Sequence, residues 1–238
     1  NELETEYGGS FENRTRFIRN IIGKIRAEIG PELILSSRLN IYDGVAYMPN
    51  QDTNIGIPRE AMTPYPYGFG VDEENPPSPD LEEPIKLISL MKEWGVSLVN
   101  VSMGSPYYNP HIGRPFERPP VDGYETPEHP LVGVDRHFQL TAQIQQSCPD
   151  LPIVGTGYSW LQNYVANAGE ANAQDGKVTF VAVGRGSMAY PDYVKDLMES
   201  GQMAKKKSCV AISYCTALMR AKEHPLHQFP SGCVPRDR

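Results

Sequence analysis

The fold is decided by the stretch Val178-Thr179-Phe180-Val181-Ala182-Val183-Gly184-Arg185-Gly186. A short apolar run rich in β-branched residues, ending in glycine before a helical pattern, is typical of a buried parallel strand that leads into a site. Gly184 lets the backbone approach a ligand closely, and Arg185 adds a planar cation suited to phosphate. Residues 151–158, Leu-Pro-Ile-Val-Gly-Thr-Gly-Tyr, repeat this pattern one strand earlier. Two such loops predict an anion site, although glycines also occur where a strand merely ends.

Working outward, the periodicity predicts one helix and then four strand–loop–helix units. Ser10 caps the first helix, which continues until Gly30 and Pro31. Alternating units imply a parallel sheet with right-handed crossovers, and the two glycine loops match those after strands seven and eight of a (β/α)8 barrel. The predicted class is α/β, a TIM (β/α)8 barrel of which this chain covers about the last four units. The predicted strands are 33–39, 96–102, 153–155 and 178–183, and the later helices 81–94, 134–148, 159–168 and 193–198.

Composition excludes several classes of partner. With 29 acidic and 22 basic residues among 238, the chain is mildly acidic, which argues against nucleic acid or an anionic membrane as the main partner. No apolar run approaches the roughly 18 residues of a membrane span. The first residues, Asn-Glu-Leu-Glu, lack the basic and apolar regions of a signal peptide, so the expected compartment is the cytoplasm.

Two long segments without helical or strand periodicity, residues 41–79 and 105–130, are rich in proline and aromatic residues. Loops of this length inside a compact domain are usually functional or disordered. The aromatic and histidine content of the second suits a lid or a substrate wall, or simple loop packing. Arg38, near the carboxyl end of the first predicted strand, is either a ligand contact or a satisfied interior charge.

Several motifs resemble those of one known family. Residues 6–14 read Glu-Tyr-Gly-Gly-Ser-Phe-Glu-Asn-Arg, and Arg38-Leu39 and Gly184-Arg185 follow on later strands. Residues 105–111 and 213–220 read Ser-Pro-Tyr-Tyr-Asn-Pro-His and Ser-Tyr-Cys-Thr-Ala-Leu-Met-Arg. Together they resemble the Old Yellow Enzyme family of FMN-dependent NAD(P)H oxidoreductases, and most closely its long branch, which is similar to 2,4-dienoyl-CoA reductase.

The resemblance implies a division of the chain. The first motif follows the fourth barrel strand in that family, so residues 1–200 would form the C-terminal half of an FMN-binding (β/α)8 barrel. Residues 201–238 would form a cysteine-containing C-terminal extension. The family's His-x-x-His or His-x-x-Asn pair, which binds the substrate carbonyl, would belong to the preceding half of the barrel and not to these 238 residues.

The resemblance also implies an ene-reductase reaction. NAD(P)H would reduce FMN, and the reduced flavin would pass hydride to the activated C=C bond of a small unsaturated carbonyl substrate. Arg38 would face the N1/O2 edge of the flavin. The FMN phosphate would be bound by Gly157, Tyr158, Gly184 and Arg185.

The resemblance does not identify the proton donor. Tyr107, Tyr108 and His111 are candidates because they are titratable and follow a strand at the appropriate end. The identity of the substrate and the choice between NADH and NADPH also stay open.

Three of the four cysteines, Cys209, Cys215 and Cys233, occur in the last thirty residues. One branch of the family carries four cysteine ligands for an iron–sulfur cluster here, but Ile212 stands where the similar subgroup has a cysteine. Because a [4Fe–4S] cluster needs a thiolate on each iron, this departure argues against an intact cluster. A damaged cluster, a zinc ion with His224 or His227 as fourth donor, and free thiols remain open.

An alternative function is a catalytically inactive half-barrel that acts as a binding or structural protein. A barrel cut before its fifth strand would leave open edges at 33–39 and 178–183, which predicts pairing with a second copy or with the missing N-terminal half. The side chains predicted to fill the barrel interior are Ile34, Val99, Val101, Val154 and Val181.

Overall fold

The computed structural model describes residues 4–66, 68–120, 123–220, 223 and 232–237. Within this part, the main sheet has four parallel strands that lie side by side in chain order: β1 (Ser36–Tyr42), β4 (Leu98–Met103), β5 (Ile153–Gly155) and β6 (Phe180–Val181). Each new strand is added beside the preceding one, as in consecutive units of a (β/α)8 barrel. The predicted fold class is confirmed.

One helix precedes β1, and the other helices connect the strands or follow them. The first begins where the Ser10 side chain accepts a hydrogen bond from the Asn13 N–H, and it ends at Gly30, whose φ of 66° is readily adopted by glycine. The helices are α1 (Phe11–Ile29), α2 (Glu82–Glu93), α3 (Pro110–Gly113), α4 (Pro130–Ser147), α5 (Val165–Gln174), α6 (Arg185–Ala189), α7 (Tyr193–Ser200) and α8 (Tyr214–Arg220). In the described part, no helix is both long and apolar enough to cross a bilayer.

The first and last strands differ from their predicted bounds because pairing, not apolar content, sets where a strand lies. β1 starts at Ser36, the residue opposite Leu98, so Leu33 and Ile34 fall outside the sheet and are exposed. β6 contains only Phe180 and Val181, which pair with β5. The predicted helix 159–168 is divided between a 3₁₀ segment, Tyr158–Tyr164, and α5.

The first long loop contains a hairpin that the sequence did not predict. Its antiparallel strands are β2 (Tyr47–Pro49) and β3 (Gly56–Pro58). The Tyr47 N–H donates to the Tyr108 carbonyl at 2.8 Å, and the Gly56 N–H donates to the Glu125 carbonyl at 2.9 Å. Since Tyr108 and Glu125 belong to the second long loop, backbone hydrogen bonds join the two loops into one wall.

The two faces of the sheet have opposite character. Val99, Val101 and Ile153 are fully buried and belong to a core formed with residues of α2 and α4. The register places Arg38, Asn100 and Val154 side by side, alternating with this apolar set, and so on the opposite face.

The prediction that the five apolar side chains fill a barrel interior is therefore wrong for most of them. Val99 and Val101 pack against helices, and Val181 packs against Gly169 of α5. Ile34 lies outside the sheet and is 81% exposed. Of the five, Val154 has the position expected of an interior residue.

The C-terminal segment packs onto the rest of the chain. Met203 is buried in a second apolar cluster with Tyr158, Val165 and Tyr190. The Glu117 N–H donates to the Ala211 carbonyl at 2.9 Å, which ties the segment to the loop that follows β4. The predicted domain boundary at residue 200 stays a prediction.

Candidate functional site: a cationic cleft

A cleft of about 620 Å³ lies at the carboxyl ends of the four parallel strands. Ligand sites of parallel α/β proteins are typically found at this edge, where the strand-to-helix loops converge. All four strands or the loops that follow them supply part of the lining. The lining residues are Arg38, Asn40, Ser102, Met103, Gly104, Ser105, Pro106, Tyr108, Gly113, Arg114, Thr156, Gly157, Ser159, Ala182, Val183, Gly184 and Arg185.

The cleft is strongly cationic. Arg38, Arg114 and Arg185 line it, and the lining residues of the described chain include no carboxylate. Three guanidinium groups at one cleft generate a positive potential that attracts an anionic ligand. The chain as a whole has a formal net charge of −7, so the positive charge is a local property of the cleft and not of the whole surface.

Arg185 has the clearest spare binding capacity. Its Nη2 donates to the Pro115 carbonyl at 2.6 Å, whereas Nη1 is buried and has no partner among the described residues. The pKa of Arg185 is lowered to about 10, mainly by burial and also by the nearby Arg114 charge, against the opposite effect of Cys209 and Cys215. The guanidinium is thus protonated at neutral pH, and its buried Nη1 carries hydrogens that no described residue accepts.

Polar groups of the strands face the cleft as well. Asn40 on β1 donates through Nδ2 to the Asp43 carboxylate, while its Oδ1 is buried without a partner in the described part of the chain. Asn100 on β4, which pairs with Arg38 across the sheet, has a similarly unpartnered Oδ1. Of the two, Asn40 lines the cleft and Asn100 does not, so the Asn40 side chain is the one that a ligand with N–H groups could approach.

The loop after β5 approaches the cleft at Gly157. Its φ is 92°, and a Cβ atom there would lie 2.5 Å from Cγ of His137, so a larger residue does not fit. Tyr158 follows immediately, but its ring is buried and its hydroxyl accepts a hydrogen bond from Asn172 at 2.9 Å. A contact between Tyr158 and a phosphate would therefore use the backbone N–H. By contrast, no neighbouring heavy atom lies within 4 Å of a Cβ atom added at Gly184.

The three candidate proton donors lie in three different environments. Tyr108 lines the cleft, and burial together with the Asp43 charge raises its pKa. Tyr107 is 86% exposed and borders a second, smaller cavity of about 250 Å³. His111 is buried away from the lining, where Nδ1 lies 2.7 Å from the Tyr124 hydroxyl, and burial lowers its pKa to about 4.

The three C-terminal cysteines lie close enough for the charges of two to affect the pKa of the third. Burial raises the pKa of Cys233, and the charges of Cys209 and Cys215 raise it further. No group of three or more His, Cys, Asp or Glu side chains in the described chain is arranged to hold a metal ion. His224 and His227, the proposed fourth zinc donors, lie outside the described residues.

The structure brings together most of the predicted cofactor residues and adds others. Arg38, Gly157, Gly184 and Arg185 share the cleft lining. Arg114 was not predicted, although Gly113-Arg114 repeats the glycine–arginine pair at 184–185 and could have been recognised from it.

No protein-family model matches the chain. It is 24% identical over 210 residues to a bilirubin reductase of Mediterraneibacter gnavus, covering 88% of this chain and 26% of that protein. It is 35% identical over 104 residues to an NADH:flavin oxidoreductase of Gibberella zeae, covering 44% of this chain and 20% of that protein. A solved structure of morphinone reductase in complex with tetrahydroNAD is 15% identical, with a TM-score of 0.49, and covers 99% of this chain and 43% of that chain. The chain thus spans about a quarter or less of the length of the two sequence relatives.

Proposed function

We propose, from the premise that this chain is a relative of the Old Yellow Enzyme family, that it forms the phosphate-binding side of an FMN-dependent NAD(P)H oxidoreductase. The reaction would be of the ene-reductase type, with a small unsaturated carbonyl compound as substrate. The supporting observation is the cationic cleft at the carboxyl ends of the strands, with an unpartnered buried N–H group on Arg185.

The charges of the cleft favour a phosphate monoester such as FMN. Arg114 and Arg185 are close enough for one guanidinium to lower the pKa of the other. Two neighbouring cations repel each other in a partly buried site, and an anion of charge close to −2 relieves this repulsion better than a carboxylate or a phosphodiester of charge −1. A phosphate monoester has a second pKa of about 6 and is mostly a dianion at neutral pH.

The spread of the arginines suits a ligand with separate phosphate and ring ends. Arg38 lies on β1 and Arg185 follows β6, at opposite edges of the four-stranded sheet. Three strand spacings correspond to roughly 14 Å between their backbones. Arg38 would place its positive charge beside a flavin ring, while Arg185 and the backbone near Gly184 would hold the phosphate.

FMN bound in this way supplies hydride transfer from NAD(P)H to an activated C=C bond. The chain's own contribution is binding, orientation and charge. Arg38 would stabilise negative charge that develops on the ring. Tyr108 is the best-placed proton donor of the three candidates, because it is the one that lines the cleft and a raised pKa keeps it protonated at neutral pH.

Titration of the purified chain with FMN and with riboflavin tests the assignment of the phosphate site. Riboflavin lacks the phosphate, so Arg185→Gln should weaken FMN binding by roughly 10- to 100-fold and leave riboflavin binding nearly unchanged. Arg19→Gln is the matched control, because Arg19 is exposed on α1 and does not line the cleft. Equal losses for both flavins, or no loss for FMN, would contradict the proposal.

A further inference from the structure

One buried histidine behind the cleft contacts both of the loops that border it. His137 lies on α4 and is 1% exposed, and it does not itself line the cleft. A buried polar ring needs partners for both of its nitrogens, so its contacts indicate what it holds in place.

On one side, His137 supports the loop after β5. Gly157 packs so closely on the ring that an added Cβ atom would lie 2.5 Å from Cγ. The Thr156 hydroxyl donates to the Val101 carbonyl at 2.8 Å and lies 3.4 Å from Nδ1 of His137. Thr156 and Gly157 both line the cleft, so the ring determines how far this loop can move away from a ligand.

On the other side, His137 holds the loop after β4. Its Nε2 lies 2.9 Å from the carbonyl oxygen of Ile112, which directly precedes the lining residues Gly113 and Arg114. Pro115, the next residue, accepts the hydrogen bond from Nη2 of Arg185. The loop held by the Ile112 carbonyl thus contains Arg114 and, through the Pro115 carbonyl, also contacts Arg185.

The charge state of the ring agrees with these contacts. The pKa of His137 is lowered to about 4, mainly by burial and also by the charges of Arg136, Arg185 and Arg38, while the hydrogen bond to Ile112 acts in the opposite direction. At neutral pH the ring is therefore uncharged, and donation to Ile112 places its single hydrogen on Nε2. Nδ1 then carries no hydrogen, and because the Thr156 hydroxyl hydrogen is directed to the Val101 carbonyl, the 3.4 Å approach of Nδ1 to that hydroxyl is a polar packing contact and not a full hydrogen bond.

We propose that His137 is a positioning residue that sets the spacing between the loop of Gly113 and Arg114 and the loop of Thr156 and Gly157, so that together they fit a phosphate group. The inference rests on the proposed function for the identity of the cofactor, but not for the presence of an anion site. The imidazole does not touch the ligand, and its effect is on the geometry of groups that do.

The experiment compares two buried histidines. His137→Phe keeps a planar ring beneath Gly157 but removes both polar contacts. The matched control is His111→Phe, since His111 is also buried and hydrogen-bonded but does not line the cleft. Binding of orthophosphate, FMN and riboflavin and the thermal midpoint are measured for each variant.

We expect His137→Phe to weaken orthophosphate and FMN binding by about tenfold and to leave riboflavin binding within about twofold. His111→Phe should lower the thermal midpoint to a similar extent without changing the affinity for orthophosphate. His137→Gln, which retains an N–H donor for Ile112, should fold like the wild type and recover most of the lost affinity. Wild-type orthophosphate affinity in His137→Phe, or equal losses for FMN and riboflavin, would overturn the inference.

The FMN assignment of the proposed function can be rejected independently of the positioning role of His137. A wild-type chain that binds orthophosphate without preferring FMN to riboflavin would reject the FMN assignment, and the two histidine variants would still test the positioning role with orthophosphate. If His137→Phe does not fold, the His137→Gln variant is compared directly with the wild type: orthophosphate affinity within about twofold agrees with support through the Ile112 hydrogen bond, and a tenfold loss rejects the importance of that bond.

Discussion

At the level of single residues, His111 and His137 share one ionisation behaviour. Burial is the largest cause that lowers the pKa of each from 6.5 to about 4. Between these values the unfolded chain binds protons that the folded chain does not, so the stability present above pH 6.5 is lost as the pH falls toward 4. Each unit of pKa difference corresponds to about 1.4 kcal/mol.

We therefore expect the free energy of unfolding to decrease between pH 6.5 and pH 4.5, and to decrease less steeply in His111→Phe and in His137→Phe. Urea unfolding at several pH values measures this slope. An unchanged slope in both phenylalanine variants would show that these histidines are not the responsible groups.

At the level of elements, the β2–β3 hairpin and the loop after β4 act as one wall. Gly56 of β3 lies against the ring of Tyr124, whose hydroxyl bonds to His111. The ring centroids of Tyr47 and Tyr124 are 5.9 Å apart, so the hairpin contributes to the same aromatic cluster. Packing, together with the backbone bonds to Tyr108 and Glu125, holds the hairpin against the loop after β4, where Tyr47, Met48 and Pro49 border the smaller cavity.

Gly56→Ala should disturb this wall. The added Cβ atom would lie 2.4 Å from the Tyr124 ring, and displacing that ring breaks its fit against His111. We expect a loss of about 1–3 kcal/mol in the free energy of unfolding, as for other overpacked sites. Gly23→Ala is the control in α1: nothing lies within 4 Å of its Cβ position, so it should be neutral or stabilising by up to about 1 kcal/mol. Urea denaturation of the two variants gives both values, and a neutral Gly56→Ala would mean that Tyr124 moves freely.

At the level of the whole molecule, one side of the described structure exposes apolar groups next to an unpaired strand edge. β1 is at the edge of the sheet, and Phe17, Ile21 and Ile29 on α1 are 62%, 37% and 41% exposed. Leu33 and Ile34, between α1 and β1, are 59% and 81% exposed. Strand edges and apolar patches of this kind favour association with another chain.

We expect the purified chain to associate through this side, either with itself or with a polypeptide that supplies the preceding barrel units. Sedimentation should show species larger than the 26.5 kDa monomer. Phe17→Glu together with Ile21→Glu should shift the population toward the monomer, whereas Met198→Glu should not, because Met198 is exposed on α7 and does not belong to the apolar set on α1. A sharp, cooperatively folding monomer of the wild type would contradict the expectation.

The isolated chain should also lack ene-reductase activity, because four strands provide only one side of a closed pocket. NADPH oxidation in the presence of FMN and an enone measures this. Turnover by the isolated chain would show that the cleft is catalytically sufficient. Absence of turnover even in association with the preceding barrel units would favour the alternative of an inactive binding or structural protein.

The sequence by itself determined the order of the four units, the bounds of α1 and the glycine loops that reach the cleft. Strong local signals carry these features: the Ser10 cap, the Gly30 stop and the apolar run that becomes β5. Such signals depend on neighbours within a few residues, so they can be recognised without knowledge of the rest of the fold.

The tertiary structure alone decided which face of each strand is apolar, which loop residues meet and what supports them. Alternation separates Val99 and Val101 from Asn100, but only pairing with β1 and β5 and packing against α2 and α4 shows which set faces the helices. Tyr108 and His111 are three residues apart, yet one lines the cleft and the other is buried beside Tyr124. His137 and Ile112 are distant in sequence and meet only because α4 packs across the loop after β4. Contacts of this kind depend on the packing of whole elements, so local periodicity cannot reveal them.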